Sequence, residues 1–184
     1  MNRVKRILEI SKEKGALTFG EFKLSSGGIS KYYFDGRLLT LDPEGAYMVA
    51  KAFLSILEGY SVDAIAGPTI GADPIVSAVS VLSYVEGTPM SGLIVRKEPK
   101  VYGAGRTIEG PIQSGQRVAI VDDTCTTGKS LFQAMQAVED EGCEIPIVLS
   151  ILDRRAGGSE EVRLRGYEFK SLMAADEAGN VDLC

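Results

Sequence analysis

Short apolar runs alternate with amphipathic stretches along this chain, and the alternation predicts its class. Residues 118–121, Val-Ala-Ile-Val, form the continuous apolar run of a central parallel strand covered on both faces by helices. Across residues 129–141, Leu131, Ala134, Met135 and Val138 then recur at helical spacing as one apolar stripe. The same order appears upstream, where Ala64 to Ala66 precedes Ile75, Ala78, Val79 and Leu82. Further parallel strands are predicted near Leu93 and Ile147, and a last edge strand over residues 167–173. A helix over residues 43–58 has Pro43 near its start and Ala46, Val49, Phe53, Ile56 and Leu57 on one face. Ahead of it, residues 3–14 make an amphipathic helix, and residues 18–24 and 32–35 make two short strands. The pattern predicts an α/β fold with a central, mostly parallel sheet flanked by helices, in a single domain over residues 1–184.

The chemistry concentrates in residues 117–130, RVAIVDDTCTTGKS. The strand delivers Asp122 and Asp123 to a turn of Thr124, Cys125, Thr126, Thr127 and Gly128. Backbone N–H groups of that turn, its hydroxyls, Ser130 and the following helix N-terminus converge on one point, which is the geometry that binds a phosphate dianion. The tail TGKS looks like the end of a nucleotide-triphosphate loop. Such a loop needs glycine five positions before Gly128, where this chain has Asp123, and a carboxylate there would oppose the phosphate. The two acids therefore serve a ribose diol, a Mg²⁺ ion, or both. Cys125 reads as a small tolerated side chain in the turn.

Residues 96–110, RKEPKVYGAGRTIEG, hold Arg96, Lys97, Lys100 and Arg106 among Gly103, Gly105 and Gly110. Few apolar residues follow Val95, so the segment reads as a mobile cationic flap suited to closing over a polyanion. A net charge of −5 and a pI near 4.9 argue against a nucleic-acid surface. Three cysteines without paired spacing, no apolar run of membrane length and no charged-then-apolar leader predict a reduced, cytoplasmic protein. The chain has no histidine, so no imidazole can serve as acid or base.

Residues 117–130 resemble the phosphoribosyl pyrophosphate signature of type I phosphoribosyltransferases, in which hydrophobic residues and two acids precede T-x-T-T-G-K-S. Three more stretches resemble orotate phosphoribosyltransferases: residues 15–37 (GALTFGEFKLSSGGISKYYFDGR), the flap, and residues 151–157 (ILDRRAG). The resemblance implies that Asp122 and Asp123 contact the ribose hydroxyls, and that Thr124, Cys125, Thr126, Thr127, Gly128, Lys129 and Ser130 hold the 5′-phosphate. It further implies that Arg96, Lys97, Lys100 and Tyr102 close over the pyrophosphate, with Lys100 and Asp123 catalytic. Orotate would meet Thr126, Phe34 and the guanidinium of Arg154. Residues 1–40 would supply a helix and a hood over the base, and residues 41–184 the core. Mg²⁺ would be bound mainly through substrate, with no direct side-chain ligand and water-bridged at most to Asp122 and Asp123. The loop GPTIGADP would bind pyrophosphate, with a non-proline cis peptide between Thr69 and Ile70. The resemblance also implies a homodimer in which the flap reaches the neighbouring site, with no nucleic-acid or membrane partner.

Ser25, Gly71 and Tyr102 stand where many such proteins have lysine, lysine and histidine. With those groups absent, the reaction is expected to need little proton transfer, orotate N1 entering ionised and Lys100 acting as the flap's principal cation. Rival readings are a phosphoribosyltransferase for another base and a non-enzymatic sensor of phosphoribosyl pyrophosphate. The run FGEFKLSSGGISKYYFDG speaks against the first, and the acidic charge and retained flap cations against the second.

Overall fold

The computed structural model describes residues 3–23, 29–98, 107–176 and 178–184. Helix α1 (Arg3–Glu13) leads into an antiparallel hairpin of β1 (Leu17–Lys23) and β2 (Ile29–Phe34), with a bulge between Phe19 and Phe22. A short helix α2 (Gly36–Thr40) joins the hairpin to α3 (Pro43–Leu57). Asp42 caps α3 by accepting from the N–H groups of Glu44 and Gly45, and Pro43 occupies its first turn, where no N–H is needed. Then follow β3 (Ala64–Pro68), α4 (Asp73–Val85), β4 (Ser91–Val95), β5 (Ile108–Glu109), β6 (Val118–Cys125), α5 (Lys129–Asp140), β7 (Val148–Asp153), α6 (Gly158–Leu164), β8 (Phe169–Ala175) and β9 (Val181–Leu183).

Strands β3 to β9 form one sheet in the order β5-β4-β3-β6-β7-β8-β9. Its five central strands run parallel, and the two-residue β5 and three-residue β9 close the edges antiparallel. Alternate residues of the central strands face opposite layers. Ile65, Ala119, Val121 and Leu149 pack toward the layer that includes α1, α3 and α4, while Ala64, Ala66, Val118 and Ile120 pack toward the α5 side. Fully buried Leu93, Ile120 and Leu131 each bring about 1.5–3 kcal/mol of burial. The chain leaves β3 toward β4 on one side and leaves β6 toward β7 on the other. That reversal opens a crevice at the carboxyl ends of β3 and β6, where open α/β sheets hold their ligands.

Three expectations are corrected. The strand expected at the sheet edge over residues 167–173 is β8, and β9 pairs outside it. Residues 107–109, expected within a flap over residues 96–110, lie against the sheet instead: Arg96 N–H donates to Thr107 O at 2.8 Å, and Ile108 and Glu109 pair with β4. Strand β6 does not stop at Val121 but continues through Cys125, because β7 keeps it paired as far as Cys125 with Asp153. The two acids therefore lie inside a strand, and the turn shrinks to residues 126–128. Helices α2 and α6 and the edge strands β5 and β9 were too short to leave a periodic signal.

Candidate active site

Two contiguous cavities open at the carboxyl ends of β3 and β6. One, of about 440 Å³, lies between the hairpin, the loop after β3 and the end of β6. The other, of about 460 Å³, surrounds the turn between β6 and α5. Lys97, Thr124, Thr126 and Ser130 line both. A larger cavity of about 750 Å³ lies between α1, α3 and the amino end of β8. It is on the other rim of the sheet from the carboxylates, so the smaller pair is the site.

Asp122 and Asp123 sit at the floor of the first cavity. Both oxygens of Asp122 are engaged: Asp123 N–H donates to Oδ1 at 2.9 Å and Ser130 Oγ donates to Oδ2 at 2.7 Å. Asp123, which is hydrogen-bonded to Asp122 and to the Thr124 backbone, is also held by shape. A Cβ on Gly36 would lie 2.6 Å from its Cβ, and one on Gly71 would lie 3.0 Å from its carboxyl carbon. At Gly36 this close approach needs glycine, whereas at Gly71 a shift of the carboxylate by a few tenths of an ångström would make room for a side chain. Burial, then the charge of Asp123, pushes the Asp122 carboxyl up to about 7. Burial also raises Asp123. At Asp122 burial outweighs the Ser130 hydroxyl, and at Asp123 it outweighs the nearby Arg37 charge, so further hydroxyl donors or positive charge would be favoured at the pair.

The second cavity is built by α5. Its first turn follows Gly128, which takes a left-handed φ of +79°, and no side chain caps it. The first N–H groups of the helix are left for an anion, with the hydroxyls of Thr124, Thr126, Thr127 and Ser130 around them. Lys129 is exposed on the same rim. The turn rests on the start of α6, where Gly158 N–H donates to Thr126 O at 3.0 Å. A Cβ on Gly158 would meet Gly128 N and Thr126 O at 2.6 Å and Cys125 Sγ at 2.8 Å. The Cys125 thiol is therefore in the core, pushed up to about 12 by burial, and only its backbone belongs to the turn.

Above the carboxylates, Tyr33 and Phe34 of β2 line the first cavity, with Arg154 at the end of β7. The Arg154 guanidinium stacks 5.2 Å from the Tyr32 ring centroid, and its Nε is buried without a hydrogen-bond partner. A guanidinium whose buried Nε has no acceptor, set beside aromatic rings, fits a planar carboxylate. The loop after β3 brings Pro68, Thr69, Ile70 and Gly71 to the cavity wall, and the Thr69–Ile70 peptide is cis. Thr69 Oγ1 donates to Asp73 Oδ2 at 2.8 Å.

Most of the expected residues meet here. Lys97 joins both cavities, whereas Arg96 lines neither and pairs with Glu109 at 3.3 Å. Lys100, Tyr102 and Arg106 lie outside the described residues. Sequence reasoning missed Asp35 and Arg37, which line the first cavity, Gln133, which lines the second, and Gly158 beneath the turn. Asp35 and Arg37 stood inside the quoted run YYFDGR, but only the fold of α2 turns them toward Asp123. For Mg²⁺, no cluster of three or more acidic or thiol side chains forms a cage among the described residues. A carboxylate pair beside an anion site fits Mg²⁺ held mainly by substrate and water.

A parallel sheet with a carboxylate pair and a hydroxyl-rich anion turn at its switch point defines a sugar-phosphate transferase site, and residues 41–171 match the phosphoribosyl transferase domain family. An orotate phosphoribosyltransferase of Aquifex aeolicus is 41% identical over 156 residues, covering 85% of each chain. One of Methanopyrus kandleri is 42% identical over 177 residues, covering 96% of this chain and 92% of its own. The crystal structure of Mycobacterium tuberculosis orotate phosphoribosyltransferase in complex with 5-phospho-alpha-D-ribosyl 1-diphosphate has a TM-score of 0.78 at 29% identity, covering 94% of this chain and 96% of that one. The chain belongs to the orotate phosphoribosyltransferase family.

Proposed function

We propose that this protein transfers the phosphoribosyl group from phosphoribosyl pyrophosphate to N1 of orotate, giving orotidine 5′-monophosphate and pyrophosphate in UMP biosynthesis. The observation that carries the reading is the double cavity, in which an uncapped helix N-terminus and an acid pair share a wall with Arg154, whose buried Nε has no acceptor. The turn and Lys129 take the 5′-phosphate, Asp122 and Asp123 take the ribose hydroxyls, and Arg154 takes the orotate carboxylate. Phe34 gives the base a face and Thr126 a hydroxyl. Thus the three parts of the reaction are held by different elements, and the base nitrogen is brought to C1 by position.

Departure of pyrophosphate leaves positive charge at C1 and negative charge on the leaving oxygens. Asp122 and Asp123 would help hold Mg²⁺ that is bound mainly through the donor and water, and the ion would supply charge neutralisation to the leaving group. The flap residues Arg96, Lys97, Lys100 and Tyr102 close over the leaving group and keep out water, with Lys100 the principal cation. The chain is proposed to work as one domain, residues 1–40 as helix and hood and 41–184 as core.

A homodimer is also proposed. Helices α3 and α4 present Tyr47, Val81, Tyr84 and Val85 to solvent, the last three more than 65% exposed. A contiguous apolar face of this kind fits a second copy of the chain. The reading is tested by following orotate absorbance with donor and Mg²⁺ present. The wild-type protein should consume orotate, and Asp123→Asn should slow it by about 100-fold or more. Consumption of another base in preference to orotate would sink the assignment of the acceptor.

A further inference from the structure

We propose that Arg37 binds the pyrophosphate leaving group, taken over from Asp35 when the donor enters; the proposal rests on the phosphoribosyl-transfer reading above. Asp35 caps α2 by accepting from Arg37 N–H at 3.1 Å. The same carboxylate takes the Arg37 side chain in a fork, from Nε to Oδ1 and from Nη2 to Oδ2, both at 2.9 Å. Among the described residues nothing accepts from Nη1, and the Arg37 side chain is 47% exposed against 17% for Asp35. Arg37 is therefore an arginine anchored on one edge and open on the other.

The open side belongs to the site. Arg37 lines the 440 Å³ cavity with Asp123, Ile70 and Gly71. Its neighbour Gly36 and Gly71 both approach the Asp123 side chain so closely that an added Cβ would lie 2.6 and 3.0 Å from it, so the start of α2 and the loop after β3 meet at that carboxylate. Asp123 and Arg37 also perturb each other's titration, as neighbouring opposite charges do.

The chemistry of the donor selects the role. If Asp123 accepts from a ribose hydroxyl, the pyrophosphate on C1 leaves from the carbon beside that diol. Among the described cations of this cavity, Arg154 is taken up with Tyr32 under the hood, and Lys97 lies where the two cavities join. Arg37 is the one set beside Asp123. During transfer the C1–O bond breaks with its electron pair going to the pyrophosphate oxygen, and the N1 lone pair forms the new C1–N1 bond. Arg37 donates hydrogen bonds to the departing oxygens and gives up no proton, since a guanidinium stays charged at any working pH. Asp35, released from its side-chain fork, keeps α2 capped through the Arg37 N–H.

The reverse reaction separates pyrophosphate from the sugar phosphate, and so isolates this contact. With Arg37→Gln, the KM for pyrophosphate should rise about tenfold or more, while the KM for orotidine 5′-monophosphate stays within about twofold. Arg37→Lys should restore part of the loss, because charge returns without the fork. Should the glutamine variant fail to fold, the lysine variant carries the same test: its pyrophosphate KM must rise above wild type with the nucleotide KM held. An unchanged pyrophosphate KM, or an equal rise in both constants, would overturn the role. Failure of the wild-type protein to turn over in either direction would instead defeat the transfer reading itself.

Discussion

At Asp122 a carboxyl group is buried against a second carboxyl, and among the described residues it accepts from Ser130 Oγ and the Asp123 N–H. The folded pKa is raised to about 7 from an unfolded value near 3.9, so the sign is fixed. The stability this group contributes is fully present below about pH 4 and is lost as pH rises through about 7. Asp122→Asn should therefore raise the melting temperature of the ligand-free protein at pH 8 by several degrees, at about 2–4 °C per kcal/mol. The gain should vanish near pH 4, and thermal scans across that range check it. The same variant should bind the donor more weakly, since the strained charge is what a sugar diol or a metal-bound substrate would relieve. Arg154 offers the opposite case, a half-buried cation whose buried Nε has no partner. Arg154→Gln should raise the KM for orotate about tenfold or more and leave the KM for phosphoribosyl pyrophosphate nearly unchanged. Steady-state kinetics with each substrate varied in turn would expose any shared effect. Both acids and Arg154 were legible in the sequence, because their neighbours form runs with few alternative uses.

At the scale of elements, the anion turn is shaped as much by α6 as by its own residues. A Cβ on Gly158 would press on two backbone atoms of the turn and on the Cys125 thiol beneath it, and backbone cannot move aside as a flexible side chain can. Gly158→Ala should displace residues 126–128, lowering the melting temperature and raising the KM for phosphoribosyl pyrophosphate about tenfold or more. A variant with unchanged donor kinetics would show that the turn holds its shape without α6. Nothing in the run RRAGG marks the second glycine as more than a helix start, because its constraint comes from a segment thirty residues earlier. Strand β6 teaches the same point in reverse. Its apolar run ends at Val121, yet β7 extends its pairing to Cys125 and turns the thiol into the core. Tertiary pairing overrides a strand end drawn from hydrophobicity alone.

At the scale of the whole molecule, the exposed apolar face of α3 and α4 makes a prediction about assembly. Val81→Glu combined with Tyr84→Glu should convert a dimer into monomers in sedimentation equilibrium, because each charge would have to be buried against an apolar surface. If the flap serves the neighbouring site, turnover should fall with the dimer. A fully active monomer would separate the two ideas. Lys100→Ala, by comparison, should lower turnover far more than it weakens binding of the 5′-phosphate portion, and equal losses would defeat the flap's assigned role.

The sequence by itself determined the layered α/β class, the donor signature and the order of the motifs, since periodicity and short-range turn chemistry act over a few residues and survive without the fold. Only the tertiary structure decided where the strands stop, that Cys125 faces inward, that Gly36 and Gly71 close on Asp123, and that Arg37 stands beside it. Those outcomes depend on contacts between segments far apart in the chain, whose distances no local pattern encodes.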